Sequence, residues 1–219
     1  LPMKDGSATD VTRVEAVKPT ILELADKGAK VLLLAHYGRP KGRRFSTMST
    51  SFVQGDVEKV LDKEIMFIPE VMGPVVEQSI GILGNGDIGL LDNVRFWPGE
   101  EANDPEFARG IAAHGDFYVN DAFSAAHRAH ASTEGLTHFL PSYAGRAMEA
   151  ELKALDAALG NPEEPVAAVV GGAKVSTKLD VLRDASIVAF TTSGAAKYDS
   201  LLHALRPRVV VCEEAGEVF

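Results

Sequence analysis

The sequence predicts an α/β fold: a doubly wound, mostly parallel sheet with helices on both faces. Short apolar runs alternate along the chain with segments of helical periodicity, the order that builds βαβ units with right-handed crossovers. Runs such as Lys30-Val-Leu-Leu-Leu-Ala35 and Val166-Ala-Ala-Val-Val170 are almost continuously apolar, as strands covered on both faces are. Several runs end in loops of glycine, proline and basic residues. In open α/β sheets such loops, beyond the strand C-termini, form the ligand crevice.

Taken in order, Leu1 to Gly6 reads as a strand end and a turn. Apolar spacing at Val14, Val17, Ile21, Leu24 and Ala25 predicts a helix over Thr12 to Lys27, stopped by Gly28. Pro19 falls inside it, so a kink there, or a helix proper beginning near it, is expected. The strand at Lys30 to Ala35 runs into His36-Tyr-Gly-Arg-Pro-Lys-Gly-Arg-Arg44, where Pro40 and the glycines forbid a helix. Helices are predicted over Gln54 to Lys63, Pro74 to Leu83 and Pro105 to His114. Pro74 and Pro105 suit a first helical turn and Asp104 an N-cap. Strands are expected at Ile65 to Ile68, Ile88 to Leu91 and Phe117 to Val119. A long helix rich in Ala, Leu, Glu and Lys is read from Tyr143 to Leu159, stopped by Gly160-Asn161-Pro162, with Asn161 to Pro165 as linker. Beyond it come strands at Val166 to Val170, Ser186 to Thr191 and Val209 to Cys212, a short helix to Leu182 and another from Ala195 to Leu205.

The 219 residues are 46% hydrophobic and 24% charged, enough for a substantial core. A formal charge of −9 argues against general binding to nucleic acid or membrane. The single cysteine, Cys212, allows no intrachain disulfide and fits a reducing cytoplasm. No apolar run reaches the ~20 residues that cross a bilayer. The chain begins at Leu1 and not Met, so the natural N-terminus is expected elsewhere.

Charge is distributed unevenly. Lys27, Lys30, Arg39, Lys41, Arg43 and Arg44 fall in one stretch to Val53 that holds no acid. A second basic stretch, Ala122 to Thr133, places His127, Arg128 and His130 among small residues, directly after the Phe117-Tyr-Val strand and Asn120-Asp121. By this reading Arg13, His36, Arg39, Arg95 and Arg128 all sit on strand-exit loops or entering turns, so they are expected to converge on one crevice. Guanidinium groups gathered without partners repel and lose hydration. A small polyanion resolves that, because the guanidinium fork matches phosphate and carboxylate oxygens. A second constellation, Gly171-Gly-Ala-Lys-Val-Ser-Thr-Lys178, follows a strand and opens a helix. Its glycines expose backbone N–H groups to phosphate, and Lys174 and Lys178 share a helix face. It is not a Walker A loop, since no Gly-Lys-Ser/Thr occurs in the chain.

Five stretches in register resemble the phosphoglycerate kinase family: Asp10-Val-Thr-Arg13, Ala35-His-Tyr-Gly-Arg-Pro-Lys-Gly42, Asp92-Asn-Val-Arg-Phe-Trp-Pro-Gly-Glu-Glu101, Phe117 through Ser132, and Gly171 through Lys178. The resemblance runs from Leu1 to about Leu182. It implies a Rossmann-like substrate domain over residues 1–142, an interdomain helix over 143–160 and the start of a nucleotide-binding domain over 161–182. It implies reversible phosphoryl transfer between 1,3-bisphosphoglycerate with MgADP and 3-phosphoglycerate with MgATP, in a cytoplasmic, monomeric glycolytic enzyme. The positions matching the family's substrate contacts are Arg13, His36, Tyr37, Gly38, Arg39, Arg95 and Arg128. Those matching its nucleotide contacts are Gly171, Gly172, Lys174 and Lys178, with Arg13, Lys174 and Lys178 stabilising the transferring group. Mg²⁺ enters as the nucleotide complex and no protein ligand to it is assigned. The family's Asp-x-Asn substrate pair is expected before Leu1, and most of its nucleotide domain after Lys178. From residue 183 to Phe219 the chain reads as a βαβ-like tail, and residues 184–219 are similar to a superfamily 1 RNA-helicase-like segment, with Glu213 and Glu214 at the place of magnesium-binding acids. Two other functions compete with the kinase: a non-catalytic anion-binding module and an NTPase- or helicase-related fragment.

Overall fold

In a computed structural model, the structure describes residues 3–4, 7–159, 167–170, 187–191 and 209–213. The chain divides into two compact units, Leu1–Leu152 and Lys153–Phe219. The first opens with a small antiparallel hairpin, β1 (Met3–Lys4) and β2 (Ser7–Ala8), where a strand end and turn were expected.

The core of the first unit is a three-stranded parallel sheet, β3 (Val31–Leu33), β4 (Ile65–Ile68) and β5 (Ile88–Leu91), in the order β3-β5-β4. Side chains alternate across it. Val31, Ile65, Ile88 and Leu90 pack with Val14, Ile21 and Ala25 of α1 (Thr12–Asp26) and with Val57 and Leu61 of α2 (Gln54–Leu61). Ile68 and Leu91 pack on the opposite side with Val76 of α3 (Pro74–Ile82) and with Phe107, Ala108 and Ile111 of α5 (Pro105–Ala112). A period of two thus sends consecutive residues into two separate cores. That is the physical content of a sheet wound on both faces, and it explains the continuously apolar runs.

In the first unit the expected helices and strands are present, several with shorter ends. β4 and β5 have the predicted bounds, and α1 continues unbroken through Pro19. Its N-terminal turn is held by Asp10 Oδ1, which accepts from Thr12 N at 2.9 Å. Asp104 caps α5 as predicted, accepting from Phe107 N at 2.8 Å. α4 (Pro98–Glu101) is a single turn that precedes α5. The strand read at Phe117 is β6 (Tyr118–Asn120), followed by the short α6 (Phe123–Ala126).

One boundary is corrected. The long helix does not begin at Tyr143, because β7 (Ser142–Ala144) pairs in parallel with β6 first, and α7 runs Arg146–Leu159. β6 and β7 form their own two-stranded sheet. In the second unit β8 (Ala167–Val170), β9 (Ile187–Thr191) and β10 (Val209–Glu213) make a parallel sheet in the order β10-β9-β8. The predicted helices between these strands lie outside the described residues.

Candidate functional site

The site begins with the dipeptide that follows β5. Asp92 is buried, and its Oδ1 accepts from Thr50 N, Ser49 Oγ and Asn93 N at 2.8–2.9 Å. Asn93, fully buried, donates through Nδ2 to Tyr37 O at 2.7 Å and Met48 O at 2.9 Å. Its Oδ1 accepts from Tyr37 N and Arg95 N. A side-chain amide that pairs two loops fixes both without a strand between them. The His36–Arg44 loop is therefore registered against the turn that bears Arg95, and Gly42 N donates to Arg95 O at 3.2 Å.

Arg95 differs from the expectation of an open loop residue. Its side chain is only 5% exposed. Nη1 donates to Gly38 O at 2.9 Å, and Nε stands 3.4 Å from Glu101 Oε1. Among the described residues Nε and Nη2 have no hydrogen-bond partner. A buried guanidinium so incompletely paired is costly.

Arg13 on the first turn of α1, His36 and Tyr37 after β3, and Arg128 after α6 line one cleft of about 1220 Å³. Leu32 and Leu33 of β3, Leu34 after it, and Phe117, Tyr118 and Val119 supply its apolar lining, with Asn120 and Asp121 as polar members. β3 and β6 are not paired with each other, which is why Tyr118, Val119 and Asn120 are only half-buried. Arg39 and Gly38 are exposed on the His36 loop and Arg95 is buried against it, and none of the three is part of this lining, so the expected convergence of five basic residues holds for Arg13, His36 and Arg128 only. The His36 imidazole is pushed down to about 4, first by burial and then by the charges of Arg95, Arg128 and His130. The ring is partly exposed at the cleft mouth, so solvent screens part of that push. The Arg95 and Arg128 charges act in the same direction as burial, which is the larger cause. Gly171, Gly172, Lys174 and Lys178 lie outside the described residues, as does Glu214, while Glu213 ends β10. Among the described residues no group of three His, Cys, Asp or Glu could hold a metal ion.

Sequence reading quoted Asp92, Asn93 and Glu100 inside longer motifs without giving them a task. Glu100 is 1% exposed. Its Oε1 accepts from Ser132 Oγ at 2.6 Å and its Oε2 from Ser132 N at 2.9 Å, beyond the Arg128 turn. The available signal was an acidic pair directly after a buried-strand exit that already carried an arginine.

The fold and these loops coincide with a known family. The phosphoglycerate kinase family model matches residues 1–188, so the chain belongs to the phosphoglycerate kinase family. The phosphoglycerate kinase of Sphingopyxis alaskensis is 64% identical over 184 residues, covering 84% of this chain and 46% of that protein. That of Sinorhizobium medicae is 58% identical over the same shares. The chain thus spans about half the length of these curated relatives. The structure of phosphoglycerate kinase from Coxiella burnetii superposes with a TM-score of 0.77 at 33% identity, covering 98% of this chain and 55% of that one. The Pyrococcus horikoshii enzyme gives 0.75 at 28% identity, covering 94% and 58%. The family match extends into the first residues of the tail that had been compared with helicases.

Proposed function

We propose that this chain carries the phosphoglycerate-binding half of a phosphoglycerate kinase, serving reversible phosphoryl transfer between 1,3-bisphosphoglycerate with ADP and 3-phosphoglycerate with ATP. The observation that supports it most is the opening of Arg13, His36, Tyr37 and Arg128 onto one cleft, with the buried Arg95 packed against the His36 loop through Gly38 O. A ligand carrying a phosphate and a carboxylate offers oxygens to the cations that face the cleft. Phosphoryl transfer needs no side-chain nucleophile. It needs aligned reactants and cations where negative charge spreads. Arg13, His36, Tyr37, Gly38, Arg39, Arg95 and Arg128 would bind and orient the acid, with Arg13 also facing the transferring group. Gly171, Gly172, Lys174 and Lys178 would hold the nucleotide, whose Mg²⁺ would arrive with it and supply further charge neutralisation. Residues 1–142 would form the substrate domain, 143–160 the interdomain helix, 161–182 the start of the nucleotide domain and 183–219 a tail of the βαβ kind. A cytoplasmic monomer fits this reading, and the matches give no support to a helicase.

Isothermal titration of the 219-residue chain with 3-phosphoglycerate should show binding that Arg128→Ala weakens by about tenfold, the worth of one charge-assisted contact. Absence of binding by well-folded protein would overturn the reading. A coupled ATP assay on this chain alone should give little or no turnover, because it spans only about half of its relatives.

A further inference from the structure

We propose that Glu100 is the positioning residue of the Arg128 loop, holding that cation where the substrate anion meets it. The proposal rests on the reading of Arg128 as a phosphoglycerate contact.

Four observations lead to it. The Glu100 carboxylate is 1% exposed, yet among the described residues no arginine or lysine pairs with it; its hydrogen bonds come from Ser132, through Oγ to Oε1 and through N to Oε2. The Glu100 carbonyl takes a third bond, from Ala131 N at 3.0 Å. One residue therefore clamps two consecutive positions of the returning chain, by side chain and main chain. The next residue passes the constraint backward. Thr133 Oγ1 donates to Arg128 O at 2.7 Å and accepts from His130 N at 3.2 Å. From Glu100 to the Arg128 backbone the path is a continuous run of hydrogen bonds and one peptide link. Finally, Glu100 stands on α4 next to Glu101, whose carboxylate lies 3.4 Å from Arg95 Nε. A single helical turn thus sets two arginine-bearing segments against each other.

A carboxylate has a particular advantage here. It accepts only, so both Ser132 donors are met at once. It also places negative charge 3.6 Å from His130 Nδ1, under a loop that otherwise carries only cations. Arg128 itself is exposed, so its own side chain contributes little to fixing the loop. Preorganisation must come from beneath.

The test uses the whole chain, with 3-phosphoglycerate as titrant and amide hydrogen exchange on the unliganded protein. Glu100→Ala is expected to weaken binding about tenfold, and Glu100→Gln, which can still accept from Ser132 N, by no more than ~3-fold. In an Arg128→Ala background Glu100→Ala should have no further effect, because the interaction through which it acts has been removed. Additive losses in the double variant would overturn the proposal. In the exchange experiment Glu100→Ala should deprotect amides 128–133 while β3, β4 and β5 keep their protection; unchanged protection at 128–133 would also overturn it. Should Glu100→Ala fail to fold, Ser132→Ala removes the same hydroxyl donor and carries both readouts. Failure of the parent chain to bind 3-phosphoglycerate would defeat the functional reading alone. The exchange result would still decide whether Glu100 holds the loop.

Discussion

At the scale of single residues, the loop that carries His36 and Arg39 is built on backbone that tolerates few side chains. Gly42 has φ +72°, and a Cβ there would stand 2.7 Å from Pro98 Cγ and 3.1 Å from Pro98 Cα. Gly42→Ala meets both a left-handed backbone and an atom of the facing main chain, so relief requires the loop or α4 to move. A cost of about 2 kcal/mol is expected, read as a fall of several degrees in thermal midpoint together with weaker 3-phosphoglycerate binding. Histidines set the acid limb of stability. His114 Nε2 accepts from Gly73 N at 3.1 Å, which requires a neutral ring, and burial lowers its pKa. For a base with a depressed folded-state pKa, the unfolded chain binds the proton first. Stability is therefore full above the unfolded value near 6.5 and declines as pH falls toward the folded value. His36, lowered to about 4, extends the decline to that pH, by less than the full ~1.4 kcal/mol per unit because its exposed ring is screened. Thermal midpoints recorded from pH 7 to 4 should fall, and His114→Gln, which retains an acceptor, should flatten the upper part of that slope. A slope unchanged by the substitution would assign the acid lability elsewhere. The sequence showed that His36 and Arg95 were basic and sat at strand exits. It did not show that Arg95 is buried, because burial is decided by residues 57 positions apart, as in the Arg95–Gly38 bond.

At the scale of elements, the start of α7 is fixed by a residue at the end of β6. Asp121 Oδ1 accepts from Met148 N at 2.8 Å, and Oδ2 accepts from Thr20 Oγ1 of α1. Thr20 Oγ1 in turn accepts from Arg146 N at 2.8 Å. Arg146 reaches Glu23 with Nε and Nη2, and that pairing holds the Glu23 carboxyl down at about 2. Gly145 makes the approach possible, since a Cβ would lie 2.2 Å from Asp121 Cγ. Removing the acceptor leaves a helix N-terminal N–H and a buried hydroxyl without their partner. Asp121→Ala is expected to cost about 1–2 kcal/mol by denaturant titration, and Gly145→Ala to cost at least as much because it displaces the same carboxylate. Asp121→Asn should retain most of the stability, since its amide oxygen still accepts from one donor. These contacts also explain the misplaced helix start. Tyr143 continues the helix-forming composition of the residues after it, but Ser142–Ala144 is taken by β6, more than 20 residues earlier. All three β7 residues are exposed, so no alternation of apolar and polar residues marked the strand. β4 and β5 were legible to the residue because their whole pattern, apolar on both faces with turn residues at each end, is local.

At the scale of the whole molecule, a chain of net charge −9 is proposed to bind an anion. The two facts are compatible because they act at different ranges. Repulsion from the dispersed acids is long-range and is the first contribution that salt removes, whereas the proposed contacts of Arg13 and Arg128 with a ligand would be short. The cleft wall adds a second feature. Leu32 and Leu34, on one side of the β3 strand line, and Phe117, Tyr118 and Val119 along β6 line the same cleft, so apolar surface borders the cations. An amphiphilic anionic dye such as anilinonaphthalene sulfonate should therefore bind the native chain, and 3-phosphoglycerate should displace only the part of the signal that arises near the arginines. Ionic strength separates the two components. Between ~0.01 M and ~0.15 M salt the Debye length falls from ~30 to ~8 Å, so the overall repulsion is quenched while contacts at hydrogen-bond distance are only weakened. Titrations with 3-phosphoglycerate across that range should show a shallow dependence, and a steeper loss of affinity from ~0.15 M toward ~1 M, where the Debye length falls to ~3 Å. Arg128→Ala should reduce the steep portion and leave the shallow one unchanged. Equal salt slopes for the parent chain and Arg128→Ala above ~0.15 M would mean that the anion is held by the general field of the protein and not by that guanidinium, and the cleft would then lose its claim to be the binding site.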